Sequence, residues 1–182
     1  MPPPPPKPTT TTTTTPLDYH YMRHALTLAT HALSTLEVPV ACLFVHTPTS
    51  SILATGHNDT NRSLLGTRHA EFLAIESILR AHPPSIFAET TLYVTVEPCV
   101  MCASALDQLG VRRVVFGCAN ERFGGCGGAV SVRRGFECVG GVYREEAILL
   151  LRRFYVQENG RAPRPAAKGG RELKLVVEPL GE

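Results

Sequence analysis

Two short stretches, Thr67-Arg68-His69-Ala70-Glu71 and Glu97-Pro98-Cys99-Val100-Met101-Cys102, constrain this chain more than any other feature. His69 and Glu71 open an apolar-periodic run (Phe72, Leu73, Ile75, Ile78, Leu79), and Cys99 and Cys102 open a second one through Leu106 and Leu109. Each run predicts a helix, so both pairs are expected on first helical turns. Cysteines three apart share a helix face and can reach one ion, and Pro98 is tolerated there because a first-turn N–H has no helical partner. The orphan N–H groups and the positive helix end favour thiolates. His69, Cys99 and Cys102 together are a zinc-type ligand set. Three protein ligands leave a fourth position for water, which is what separates a catalytic zinc from a structural one. Glu71, two residues from a ligand, is then available to move protons.

Each half taken alone has a plainer reading. A C-x-x-C can be redox-active or simply packed, His69 can be a surface histidine, and Glu71 a solvated helix charge. The halves occur together, however, each at a helix mouth and in the order H-x-E then P-C-x-x-C. That pattern resembles the signature of zinc-dependent nucleobase deaminases, in which the glutamate is the general acid and base.

The 182 residues, 43% of them hydrophobic, suffice for one buried core with unstructured ends. No apolar run of about 18 residues and no charged-then-apolar leader is present, so neither a membrane span nor a secretory signal is expected. An intracellular location, in cytoplasm and nucleus, follows as an expectation. Six cysteines there should be mostly reduced. Two are assigned to zinc; Cys42, Cys118, Cys126 and Cys138 read as small buried or loop residues, the separation of Cys118 from Cys126 matching no common zinc spacing.

Net charge is +2, but its distribution is uneven. Residues 1–111 hold 5 Lys/Arg against 8 Asp/Glu, and residues 112–182 hold 13 against 8. Single basic pairs such as Arg112-Arg113 read as solvated faces; a whole half tilted this way favours a phosphate-rich partner.

Residues 1–16, a Pro/Thr-rich leader, carry nothing to bury and are expected to be disordered. From Asp18, read as an N-cap, Tyr21, Ala25, Leu28, Ala29, Ala32, Leu33 and Leu36 predict a first helix stopped by Pro39. His20, His24 and His31 lie along it without a cysteine or carboxylate neighbour, and read as solvated or core-edge residues. Val38 to Val45 and Ile52 to Thr55 predict a strand hairpin. A polar loop, Asp59 to Gly66, brings Asn58 near the His69 helix, where its amide can donate and accept along a base edge; ordinary turn chemistry is the competing reading. Strands are expected at Thr91–Val96 and Val111–Phe116, parallel because the cysteine helix connects them, with the ligands at the carboxyl edge of the sheet. Phe123-Gly124-Gly125-Cys126-Gly127-Gly128 is a loop that lets backbone come close to something, and no Lys-Ser or Lys-Thr follows to make it a phosphate cradle. A weak strand at Phe136–Val142, a helix at Glu145–Phe154 and a basic tail over residues 160–182, with a short strand at Leu173–Val177, complete the reading.

The block Leu92 to Leu106, followed by Arg112-Arg-Val-Val-Phe-Gly117, resembles the tRNA adenosine deaminases, bacterial ones among them. Asn120 to Gly128 and Arg153 to Asn159 are similar to the catalytic subunit of the eukaryotic heterodimeric enzyme. The resemblance covers about residues 18–165. It implies an α/β protein with a three-layer α/β/α cytidine-deaminase-like fold, a central mixed sheet, and a deaminase domain over residues 17–159. It also implies zinc held by His69, Cys99 and Cys102, Glu71 as proton shuttle, Asn58 against the target base, conversion of adenosine to inosine at the tRNA wobble position, and a non-catalytic deaminase-like partner subunit. In that partner the glutamate of H-x-E is replaced, whereas this chain keeps Glu71. A free nucleoside or nucleobase deaminase, cytidine- or guanine-type, uses the same four residues but has no need of a basic second half. A non-catalytic zinc-binding subunit has no use for an unliganded acid at Glu71.

Overall fold

The structure, a computed structural model, describes residues 13–132, 135–158 and 170–179. Five strands form one sheet: β1 (Ala41–His46), β2 (Ser51–His57), β3 (Thr90–Val96), β4 (Arg113–Cys118) and β5 (Glu137–Val139), in the order β2-β1-β3-β4-β5. β1 pairs antiparallel with β2 and β3, while β3–β4 and β4–β5 are parallel. The sheet is therefore mixed, and the two strands flanking the cysteine helix run parallel as expected.

Side-chain alternation sorts the strands onto two faces. Cys42, Phe44, Leu92, Val94, Val114 and Cys138 pack with α3 (Ala70–Ala81) and α4 (Val100–Gln108). Leu43, Val45, Tyr93, Val115 and Val139 point the other way, onto Tyr21, Met22 and Ala25 of α1 (Pro16–Ser34). The last helix, α5 (Arg144–Val156), joins that second layer through Leu150 and Phe154. This is a three-layer α/β/α arrangement. Burial of each large apolar side chain contributes about 1.5–3 kcal/mol, and β3 is buried along its whole length.

The first helix starts earlier than Asp18. Thr15 is the N-cap, Pro16 is in the first turn, and Asp18 completes a capping box: its Oδ2 accepts from Thr15 N at 2.8 Å while Thr15 Oγ1 accepts from Asp18 N at 3.3 Å. Asp18 is fully buried because Arg113 Nη1 donates to it at 2.6 Å and Tyr93 Oη at 3.0 Å. A carboxylate with three such donors suits the third helical position better than the cap. Residues 1–12 of the expected leader lie outside the described residues.

Two further expectations change. The polar loop after Asn58 contains a one-turn helix, α2 (Thr60–Ser63), because the buried Glu37 carboxylate accepts from the N–H groups of Asn61 and Arg62. Leu173–Val177 is not a strand: it runs without ladder partners along α5, where Arg152 Nη1 donates to the carbonyls of Lys174 and Val176. Residues 160–169 and 180–182 of the tail lie outside the described residues. Among the described residues no helix is long and apolar enough to cross a membrane.

Gly56 in β2 fixes how closely the site's first helix can approach. A Cβ there would fall on the Ala70 carbonyl, so only glycine lets the opening turn of α3 lie against the strand.

Candidate active site

His69 and Cys99 are the N-caps of α3 and α4, and neither uses its side chain for capping. Both side chains turn toward Cys102 instead. Other groups do the capping: Ala70 N–H donates to Asn58 Oδ1 at 2.9 Å, and Val100 N–H donates to the Phe123 carbonyl at 2.8 Å. Pro98 consequently stands just before the cap rather than inside the first turn.

His69 Nδ1 lies 3.6 Å from Cys99 Sγ and 3.5 Å from Cys102 Sγ, and the three ligand atoms all lie within 4.8 Å of one another. Zinc–sulfur distances of about 2.3 Å and zinc–nitrogen distances of about 2.0–2.1 Å at a tetrahedral angle place N and S about 3.5 Å apart, so the set fits that ion. The two thiols are driven in opposite directions. A hydrogen bond from Cys102, and then His69, pull the Cys99 thiol down to about 4, while its bond to Cys99 and burial push Cys102 up. A bound cation would deprotonate a coordinating thiol outright.

Glu71 is 2% exposed, and its Oε2 has no hydrogen-bond partner among the described residues. A buried carboxylate oxygen left unpaired is costly, and burial raises its pKa accordingly. It faces a cavity of about 490 Å³ whose walls include Asn58, His69, Cys99, Phe123, Leu151 and Tyr155. The structure thus brings all five residues singled out in the sequence, Asn58, His69, Glu71, Cys99 and Cys102, to one place. Among the described residues they include the one His/Cys/Asp/Glu group spaced to hold a metal. Asn58 differs in one respect from the reading above. Its oxygen already accepts from Ala70 N–H, so the amide N–H₂ is the end left to meet a base without sharing its partner.

One residue of the quoted stretches, Glu97, was given no role by the sequence. The buried Glu97 carboxylate accepts three backbone N–H groups, Asn120 at 2.8 Å, Cys126 at 2.9 Å and Gly128 at 2.9 Å. A Cβ at Gly124 or Gly128 would lie on Glu97 Oε2, so these glycines exist to admit the carboxylate. The glycine-rich string was the available signal; its partner was not. Gly125 N–H donates to the Pro98 carbonyl at 2.9 Å, which fastens the same loop to the start of α4.

A His/Cys/Cys set at two helix mouths, an unliganded buried glutamate and an α/β/α fold define a zinc-type deaminase. The family model described as cytidine and deoxycytidylate deaminase zinc-binding region matches residues 16–118. The tRNA-specific adenosine deaminase subunit tad2 of Schizosaccharomyces pombe is 49% identical over 166 residues, 88% of this chain and 42% of that protein. The tRNA-specific adenosine deaminase 2 of Danio rerio is 41% identical over 162 residues, 81% of this chain and 75% of that one. A solved structure from studies of A-to-I editing by tRNA:A34 deaminases at the wobble position superposes with a TM-score of 0.63 at 28% identity, covering 72% of this chain and 99% of that one. The chain belongs to the zinc-binding cytidine and deoxycytidylate deaminase family and, within it, to the tRNA-specific adenosine deaminases. It spans less than half the length of the fission-yeast relative.

Proposed function

We propose that this chain hydrolytically deaminates adenosine to inosine at the wobble position of tRNA, as the catalytic member of a pair with a non-catalytic deaminase-like subunit. The observation that carries the reading is the buried, unpartnered Glu71 Oε2 beside the His69/Cys99/Cys102 set. His69 Nδ1, Cys99 Sγ and Cys102 Sγ would hold zinc. When bound, zinc supplies Lewis acidity that lowers the pKa of a water to about 7. Glu71 Oε2 takes a proton from water and returns one to the departing amino nitrogen, so that adenosine and water become inosine and ammonia. Asn58, its oxygen held by Ala70 N–H, offers its N–H₂ to an acceptor on the base.

The cavity, about 490 Å³, has room for one base that has left its stack. A wobble base in a single-stranded loop is less costly to splay than a duplex base, for which flipping takes a few kcal/mol. The basic tilt of residues 112–182 suits a polyanion, and the named relatives point to the same substrate.

The test is inosine formation on a tRNA with wobble adenosine, with and without the co-expressed partner. Glu71→Ala should abolish inosine while metal content stays at about one per chain, whereas Cys99→Ser should lose the metal as well. Editing that survives Glu71→Ala would sink the assignment.

A further inference from the structure

The loop that Glu97 clamps does more than close the fold. We propose that its Arg122–Phe123 corner is a nucleotide subsite, in which the Phe123 ring stacks a base neighbouring the target and Glu97 is the positioning residue that holds the ring in place. The inference rests on the reading of the chain as a tRNA deaminase.

Phe123 is fixed at both backbone ends. Its N–H donates to Asn120 Oδ1 at 3.1 Å, and its carbonyl accepts from Val100 N–H at 2.8 Å, the first N–H of the cysteine helix. Around it, Glu97 anchors Asn120 on one side and Cys126 and Gly128 on the other. The ring itself takes no part in this scaffold: it is 62% exposed and stands on the wall of the cavity that contains His69, Glu71 and Cys99. A large aromatic face on a rigid backbone, beside the reacting centre, is what an unstacked base requires, and such stacking tolerates any base.

The Arg122 guanidinium carbon lies 5.7 Å from the Phe123 ring centroid, so a cation accompanies the aromatic face. Arg122 makes no ion pair among those resolved in the described residues and also lines the cavity. Aromatic face and cation together match the base and the phosphate of one nucleotide. A free nucleoside has no neighbouring nucleotide to use them.

The experiment uses the full chain with its partner and a tRNA bearing wobble adenosine, comparing Phe123→Ala, Phe123→Leu and Phe123→Tyr. Loss of one base stack should raise KM about 5- to 150-fold in the Ala and Leu variants, with kcat held within about twofold and metal content unchanged. Phe123→Tyr, which keeps the ring, should retain the parent KM. A Leu variant with unaltered KM overturns the subsite, because apolar bulk alone would then suffice; so does a fall in kcat at constant KM. A parent enzyme that forms no inosine overturns the functional reading and this inference with it, whereas normal editing with unchanged KM in Phe123→Ala overturns this inference alone.

Discussion

Replacing Glu97 with Gln keeps the size of a side chain that accepts three backbone N–H groups and removes its charge. With the amide oxygen in the Oε1 position, Cys126 N–H and Gly128 N–H keep a neutral acceptor, while the amide nitrogen faces Asn120 N–H as a second donor. Hydrogen bonds to a charged group contribute about 1.5–3 kcal/mol and neutral ones about 0.5–1.5 kcal/mol. Losing one charged bond and demoting two comes to about 3.5–6 kcal/mol. The loss is local to the loop at residues 120–128, so amide hydrogen exchange is the appropriate assay. Exchange at Asn120, Cys126 and Gly128 should accelerate on the order of 10³–10⁴-fold, while the amides of β3 keep their protection. A change of less than about tenfold at all three amides would show that the clamp carries no such energy. Glu97→Asp, one methylene shorter, should fail in the same direction by losing reach.

Two further substitutions probe the scaffold. Gly56→Ala places a methyl on the Ala70 carbonyl and should destabilise the protein by about 1–3 kcal/mol, read as a lowered denaturant midpoint; an unchanged midpoint would mean that α3 moves aside freely. Burial by itself pushes the Asp18 carboxyl up, but Arg113, Thr15 N–H and Tyr93 more than offset that and hold it below its ordinary value of 3.8. Because the folded-state pKa is depressed, Asp18 stabilises the fold fully above about that pH, and its contribution is lost as pH falls through the lower folded value. Asp18→Asn should therefore be less stable at neutral pH, with the gap to the parent closing under acid; a gap independent of pH would refute the ion pair as the cause.

The chemistry was legible in the sequence because it is local. His69 and Glu71 are two apart and Cys99 and Cys102 three apart, so helical periodicity alone places each pair on one turn, and the apolar runs behind them announce the helices. The strand–helix–strand order likewise dictated the parallel β3–β4 pair. What the tertiary structure alone decided is which distant group completes each local pattern. Glu97 meets loop amides 23, 29 and 31 residues away, and Asn58 Oδ1 is claimed by Ala70 N–H 12 residues on. Asp18 looked like a cap because nothing near it in the chain reveals Arg113, 95 residues later, which draws it into the interior. Residue spacing carries information across one or two turns of helix. A buried polar atom must be satisfied by whatever the fold brings within about 3 Å, and which atom that is depends on how the layers pack.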